Sequence, residues 1–189
     1  MTERELLVDS LQRLNRLGLP YMLTGSMASN FWGIPRTTHD IDFVLAFERQ
    51  EAADIAASLE DGFFVEERAI VDALDRPYMF NAIARRSAFK IDFWTLRREP
   101  FEQEMFARRL RVVLFGEPAW IATAEDTLLH KLYWNRITPS ERQLGDAAGI
   151  VAVQGDGLDR GYLERWALEL GVQDVLSALL AGRIRPKET

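Results

Sequence analysis

The chain has 189 residues, 48% of them hydrophobic, and 23 basic against 29 acidic side chains leave a formal net charge of −6. That is enough apolar material for one sizeable core, and the acidic balance argues against whole-surface binding to nucleic acid, which rests on phosphate neutralisation. The absence of cysteine excludes disulfides, thiolate catalysis and cysteine-based zinc sites, and with no run of about 18 uncharged apolar residues no membrane span is expected.

Glu3 to Leu17 places Leu6, Leu7, Leu11, Leu14 and Leu17 at helical spacing, and Gly18 follows as a stop. This N-terminus is charged and amphipathic and lacks the apolar core of a secretory signal, so a cytoplasmic protein is expected. Pro20 to Thr24 reads as a short buried strand ending at Gly25, and Ser26 to Trp32 as a helix stopped by Gly33 and Pro35. Asp40 to Ala46 begins with polar–apolar alternation, the pattern of a strand. Phe47 to Leu59 is alanine-rich and helical, closed by Asp61-Gly62. Short strand-like runs follow at 63–65, 78–84 and 89–96, then a helix over 100–109 and a strand over 110–115.

Thr123 caps a helix that carries Glu125 and Asp126 in its first turn. Beyond it the chain reads helical over 124–135, 140–153, 159–169 and 172–181. The expected division is a mixed α/β domain over 1–122 and a helical region over 123–189 packed on it. Asp156-Gly-Leu-Asp159 reads as a helix-capping turn, since a calcium loop needs more alternating oxygen ligands.

Two stretches carry chemistry: Leu23-Thr-Gly-Ser-Met-Ala-Ser-Asn30 and Arg36-Thr-Thr-His-Asp-Ile-Asp-Phe-Val-Leu45. On a strand, Asp40 and Asp42 point to one face while Ile41 and Phe43 point to the other. Two carboxylates about 6–7 Å apart along a strand repel unless a cation sits between them. Carboxylate oxygens without imidazole or thiolate suit Mg²⁺, with Mn²⁺ as an alternative. Gly25 lets the backbone approach a ligand, and Ser26 opens a helix whose free N–H groups can receive a phosphate. Asp92 is the lone acid in the apolar run Phe89-Lys-Ile-Asp-Phe-Trp94, and a lone acid in a buried strand is costly unless paired or metal-bound. If that strand lies beside Asp40–Leu45, three carboxylates converge, and one can take a proton from an attacking hydroxyl. Lys90 shares a strand face with Asp92 and offers it a simple ion pair instead.

The order Gly-Ser, a gap, Asp-x-Asp and a later single strand Asp resembles the nucleotidyltransferase superfamily of DNA polymerase β and the aminoglycoside nucleotidyltransferases. Arg36-x-Thr38-x-Asp40-Ile-Asp42, with Ala124-Glu-Asp-Thr-Leu-Leu-His-Lys131 and Ser140-x-Arg142-Gln143-x-x-Asp146, is similar to the AbiEii-type toxins of toxin–antitoxin systems. The resemblance covers roughly residues 18–150. It implies an α+β fold, a mixed sheet flanked by helices and followed by a C-terminal helical bundle. It implies Asp40, Asp42 and Asp92 as metal ligands and catalytic acids. Gly25, Ser26, Thr38 and Lys131 become binding residues for an NTP donor, and Arg36 joins them as a phosphate clamp unless it is simply a loop charge. The implied reaction moves an NMP to a hydroxyl on RNA, protein or a small molecule, and an antitoxin is an implied partner. The gap between Gly-Ser and the first aspartate is long for the superfamily.

Haloacid-dehalogenase phosphatases also use Asp-x-Asp, but there the pair ends an apolar strand, whereas here Arg-Thr-Thr-His precedes it. Glycosyltransferases with this motif need a larger nucleotide-sugar domain. His39 and His130 lack metal-ligand spacing and read as ordinary polar residues. Arg85 to Arg111 is locally +4 (Arg85, Arg86, Lys90, Arg97, Arg98, Arg108, Arg109 and Arg111 against Asp92, Glu99, Glu102 and Glu104). Such a window is either a solvated face or a basic rim for an anionic substrate. The alternative to an enzyme is a catalytically silent protein of the same fold that binds nucleotide or RNA, or regulates a partner.

Overall fold

A computed structural model of the chain describes residues 2–76, 78–85 and 89–186, so Arg86 of the basic window lies outside the described residues. The elements begin with α1 (Glu3–Leu17), β1 (Tyr21–Thr24), α2 (Gly25–Trp32), β2 (Asp40–Leu45) and α3 (Ala52–Leu59). Then come β3 (Phe63–Phe64), α4 (Glu67–Asp72), β4 (Met79–Ala84), β5 (Lys90–Thr95), α5 (Pro100–Ala107), β6 (Leu110–Leu114) and β7 (Glu117–Ile121). Among the described residues, four α-helices follow: α6 (Ala124–Ile137), α7 (Glu141–Gln154), α8 (Arg160–Leu170) and α9 (Gln173–Leu180). They form two compact units, one of residues 1–24 and 38–121, the other of 25–37 and 122–189.

The first unit is built on one mixed sheet, whose strand order among the described residues is β3-β4-β5-β2-β1-β7-β6. β2 runs parallel to β5 and antiparallel to β1, which in turn pairs parallel with β7. Alternation sorts the side chains: Leu23, Ile41, Phe43, Leu45, Phe80, Ala82, Ile91 and Phe93 share one buried face. Its centre is an aromatic row in which Phe43 and Phe80 stack on Phe93 at 5.8 and 5.0 Å and Tyr21 meets Phe43 edge-on at 5.8 Å. Burial pushes the Tyr21 phenol up to about 12, against opposing bonds to the Trp120 backbone and Asn15. α1 buries Leu6, Leu7, Leu11 and Leu14 and contacts β7 and α3. A Thr2–Glu5 capping box starts it and left-handed Gly18, at φ +68°, ends it.

Two elements lie beyond the sequence expectations, α4 and β7. β7 carries Pro118, which ordinarily argues against a central strand. Its pairing with β1 is confined to Leu23–Ile121, so the N–H that Pro118 lacks removes no bond on that side. The expected helix over 47–59 starts only at Ala52, after a 3-10 turn at Arg49–Glu51. Phe115 and Gly116, both at positive φ, make the tight turn between β6 and β7.

In the second unit α2, α6 and α7 pack on one another, α8 lies against α6, and α9 against α7 and α8. Thr123, Ser140 and Asp159 cap α6, α7 and α8. Gly33 does more than stop α2. A Cβ there would stand 2.7 Å from the Ile150 amide nitrogen and 2.9 Å from the Gly149 carbonyl carbon, so glycine permits this close approach to α7.

Candidate active site

The catalytic acids expected from sequence fall on adjacent strands. Asp42 of β2 is directly opposite Asp92 of β5, and Asp40 is opposite Lys90. Paired residues share a sheet face, so Asp40, Asp42, Lys90 and Asp92 stand together on the face opposite the aromatic core. Thr24, the last residue of β1, pairs with Asp42 and Asn81 of β4 pairs with Asp92, which extends this polar row over four strands.

Each carboxylate is oriented by a donor. The Trp94 indole N–H donates to Asp42 Oδ1 at 3.2 Å, and the Asn81 amide donates to Asp92 Oδ1. Lys90 Nζ lies 2.7 Å from Asp92 Oδ2 and 3.5 Å from Asp40 Oδ1. The Asp92 hydrogen bond, with the Coulombic pull of both acids, holds the Lys90 ammonium above its usual pKa despite partial desolvation. Thr24 Oγ1 is buried and has no hydrogen-bond partner among the described residues. Among the described residues, no three Asp, Glu, His or Cys side chains stand gathered as a metal cage. The donor set nonetheless fits a hard divalent cation, being carboxylate and hydroxyl oxygen with no imidazole or thiolate. What stands among these oxygens is Lys90.

The binding residues expected in the second unit gather around an acid that sequence reasoning placed in a family string but gave no role, Asp146. Arg36 grips it through Nε at 2.6 Å and Nη2 at 2.8 Å, and Lys131 Nζ is 2.8 Å from Oδ2. Ser26 Oγ accepts from Arg36 Nη2 at 2.9 Å, and Ser29 Oγ reaches Asp146 at 3.4 Å. Arg36, Lys131 and Asp146 are two cations and one anion, so the three side chains together carry a positive charge. Burial pushes the Asp146 carboxyl upward, but its bonds to Arg36 and Lys131 prevail and hold it below the usual value. Asn30 fixes the loop that carries Arg36, donating to its carbonyl at 2.8 Å and accepting its N–H at 3.0 Å. Gly25 opens α2 at φ +62°, a conformation suited to glycine. The signal for Asp146 was present: it is a lone acid in the run Gly145-Asp-Ala-Ala-Gly-Ile-Val151, as Asp92 is on its strand.

Thr38 belongs to the first unit, where its hydroxyl is bonded to the Asp40 backbone as β2 begins. His130 accepts from the Trp134 indole at 2.9 Å, an ordinary helix contact. In the basic window Arg97 pairs with Glu102, while Arg85 lies over Phe64 and Arg109 over Phe106, each at 4.2 Å. An open pocket of about 560 Å³, lined by Leu45, Phe47, Glu48, Thr95 and Leu96 among others, lies at the far ends of β2 and β5, away from the acids.

No family model matches the chain, and no curated protein matches it in sequence. Solved structures do. ANT(2'')-Ia in complex with adenylyl-2''-tobramycin superposes with a TM-score of 0.57 at 18% identity, over 97% of this chain and 99% of that one. The lincosamide antibiotic adenylyltransferase LnuA, lincomycin-bound, gives 0.56 at 14% identity over 81% and 98%. A nucleotidyltransferase-like protein from Paracoccidioides brasiliensis gives 0.56 at 15% over 98% and 94%. The fold is that of the nucleotidyltransferases. Within it, the Asp40–Asp42 strand lies beside the Asp92 strand, and Gly25-Ser26 opens the helix that follows β1.

Proposed function

We propose that the chain is a Mg²⁺-dependent nucleotidyltransferase that moves an NMP from an NTP to a hydroxyl and releases pyrophosphate. The observation that carries this reading is the in-register placement of Asp42 against Asp92, with Asp40 on the same face. Asp40 and Asp42 would hold the metal, with Asp92 as a further ligand. The bound ion supplies neutralisation of triphosphate charge, which such transfers require. Asp92 is oriented by Asn81 and is the base in this scheme, accepting the acceptor's proton at a carboxylate oxygen. The acceptor oxygen forms a bond to the α-phosphorus, and the bond from that phosphorus to the α,β-bridging oxygen breaks, so pyrophosphate leaves with the electron pair.

Gly25, Ser26, Arg36, Thr38 and Lys131 are assigned to the nucleotide. The positive charge of the Arg36–Asp146–Lys131 cluster supports the two cations in that role, and the bonds of the Thr38 hydroxyl to the Asp40 backbone support only a positioning part. For the acceptor, ANT(2'')-Ia and LnuA favour a small hydroxyl compound. The AbiEii-like strings favour RNA or protein, with an antitoxin partner in a cytoplasmic setting. No described helix is long and apolar enough to cross a membrane.

The test is incubation with each α-labelled NTP and Mg²⁺ beside three acceptor pools: tRNA, protein, and aminoglycoside or lincosamide. Label transfer is expected in one pool, falling about 100-fold or more in Asp42→Asn. Transfer that survives Asp42→Asn overturns the assignment, and nucleotide binding without transfer in any pool establishes the silent binding protein instead.

A further inference from the structure

The acidic face carries its own cation. Lys90 stands opposite Asp40 in the β2–β5 ladder and two residues before Asp92, and its ammonium contacts both carboxylates, at 3.5 and 2.7 Å. A hard divalent ion bound by Asp40 and Asp92 would need the oxygens that Lys90 now occupies. The ammonium itself is not locked in the interior: the Lys90 side chain is 42% exposed and that of Asp40 51%, so Lys90 can swing into water, and the 11% exposed Asp92 that it leaves would then be paired by the incoming ion. A second feature marks the face as incomplete without a ligand. Thr24 is only 3% exposed and stands opposite Asp42 on the same face, and its buried Oγ1 has no hydrogen-bond partner among the described residues. A buried hydroxyl left unpaired is uncommon and costly, and a ligand oxygen or metal-bound water beside Asp42 would satisfy it.

We propose that Lys90 is a built-in counter-cation that holds Asp40 and Asp92 in the metal-free protein and gives them up when a divalent ion binds. The inference rests on the acidic face being the metal site of the transfer reaction. Without metal, Lys90 lowers the mutual repulsion of Asp40 and Asp92 and keeps Asp92 in place. With metal, its contacts would give way to the ion, so metal affinity is set below what the carboxylates would give without Lys90. Lys90 is thus a positioning residue whose removal strengthens metal binding.

The probe is Mn²⁺ alone, titrated into the full chain and followed by electron paramagnetic resonance of the free ion. Lys90→Met is expected to bind Mn²⁺ about five- to tenfold more tightly than the native chain, the worth of one or two partly screened charge contacts. Lys90→Arg retains the charge and stays within about twofold of native. Lys90→Gln serves as the second neutral variant if Lys90→Met fails to fold, judged by circular dichroism. In the native chain, acylation of Lys90 is read by peptide mapping against Lys131 and Lys187, the other two lysines. It is expected to rise on adding Mn²⁺, as the amine leaves the ion pair. Equal or weaker Mn²⁺ binding by the folded neutral variants overturns the proposal while leaving the metal site intact. Mn²⁺ binding that is undetectable in native and variant chains alike, or unchanged in Asp42→Asn, overturns the metal site and the proposal together.

Discussion

Replacing Asp146 by alanine removes the carboxylate that Arg36 and Lys131 share. Asp146 accepts two bonds from Arg36, at 2.6 and 2.8 Å, and one from Lys131 at 2.8 Å. Its own side chain is 5% exposed and that of Lys131 7%, so the variant sets an ammonium against a guanidinium without the negative charge that joined them. Breaking a buried pair by removing one partner costs about 3–5 kcal/mol. Arg36 is 23% exposed and can turn partly to water, which places the expected loss near the low end, about 3 kcal/mol. For a chain of this size that is a fall in Tm of about 6–12 °C. Urea unfolding at neutral pH followed by circular dichroism measures it. The cycle with Arg36→Met isolates the pair: the double variant is expected to be more stable than the sum of the single losses predicts, by about 1.5 kcal/mol or more. A loss below about 1 kcal/mol for Asp146→Ala, or additive losses in the cycle, would refute the view that this cluster is a coupled unit held by the shared carboxylate.

The same carboxylate sets a pH dependence. Because its folded-state value lies below 3.8, its charge contributes stability that is fully present above about pH 4 and is lost as pH falls through that lower value. Asp146→Asn lacks this titrating group, so between about pH 5 and pH 2 it is expected to lose less stability than the native chain does; identical acid limbs in urea titrations would contradict this. Gly33→Ala forces a methyl group against the Gly149–Ile150 backbone at 2.7–2.9 Å, with an expected cost of about 2 kcal/mol by the same unfolding assay. A neutral result would mean that α2 and α7 separate more readily than their packing indicates.

Local chemistry made the acidic motif legible. The side chains of Asp40 and Asp42 alternate with Ile41 and Phe43 because strand geometry fixes two faces, and that much is readable wherever the strand is recognised. The lone acid in an apolar run singled out Asp92, and the strand face it shares with Lys90 offered, as one alternative, the ion pair that the structure contains. The leucine spacing of α1 and the caps at Thr123 and Asp159 were equally local signals. Tertiary structure decided everything that depended on which segments meet. The register of Asp42 with Asp92 joins residues fifty positions apart, and a one-residue slip in β5 would have put Asp92 in the aromatic core and Phe93 among the acids. β7 was hidden because Pro118 breaks the strand pattern, and only the limited pairing with β1 removes the objection. Gly33 looked like a helix stop because its need for a missing Cβ arises from a helix more than a hundred residues later. Asp146 carried the same lone-acid signal as Asp92, but its role depends on Arg36 and Lys131 arriving from two other segments. Sequence reports what a residue does to its neighbours along the chain; the charge balance of a site is set by neighbours through space.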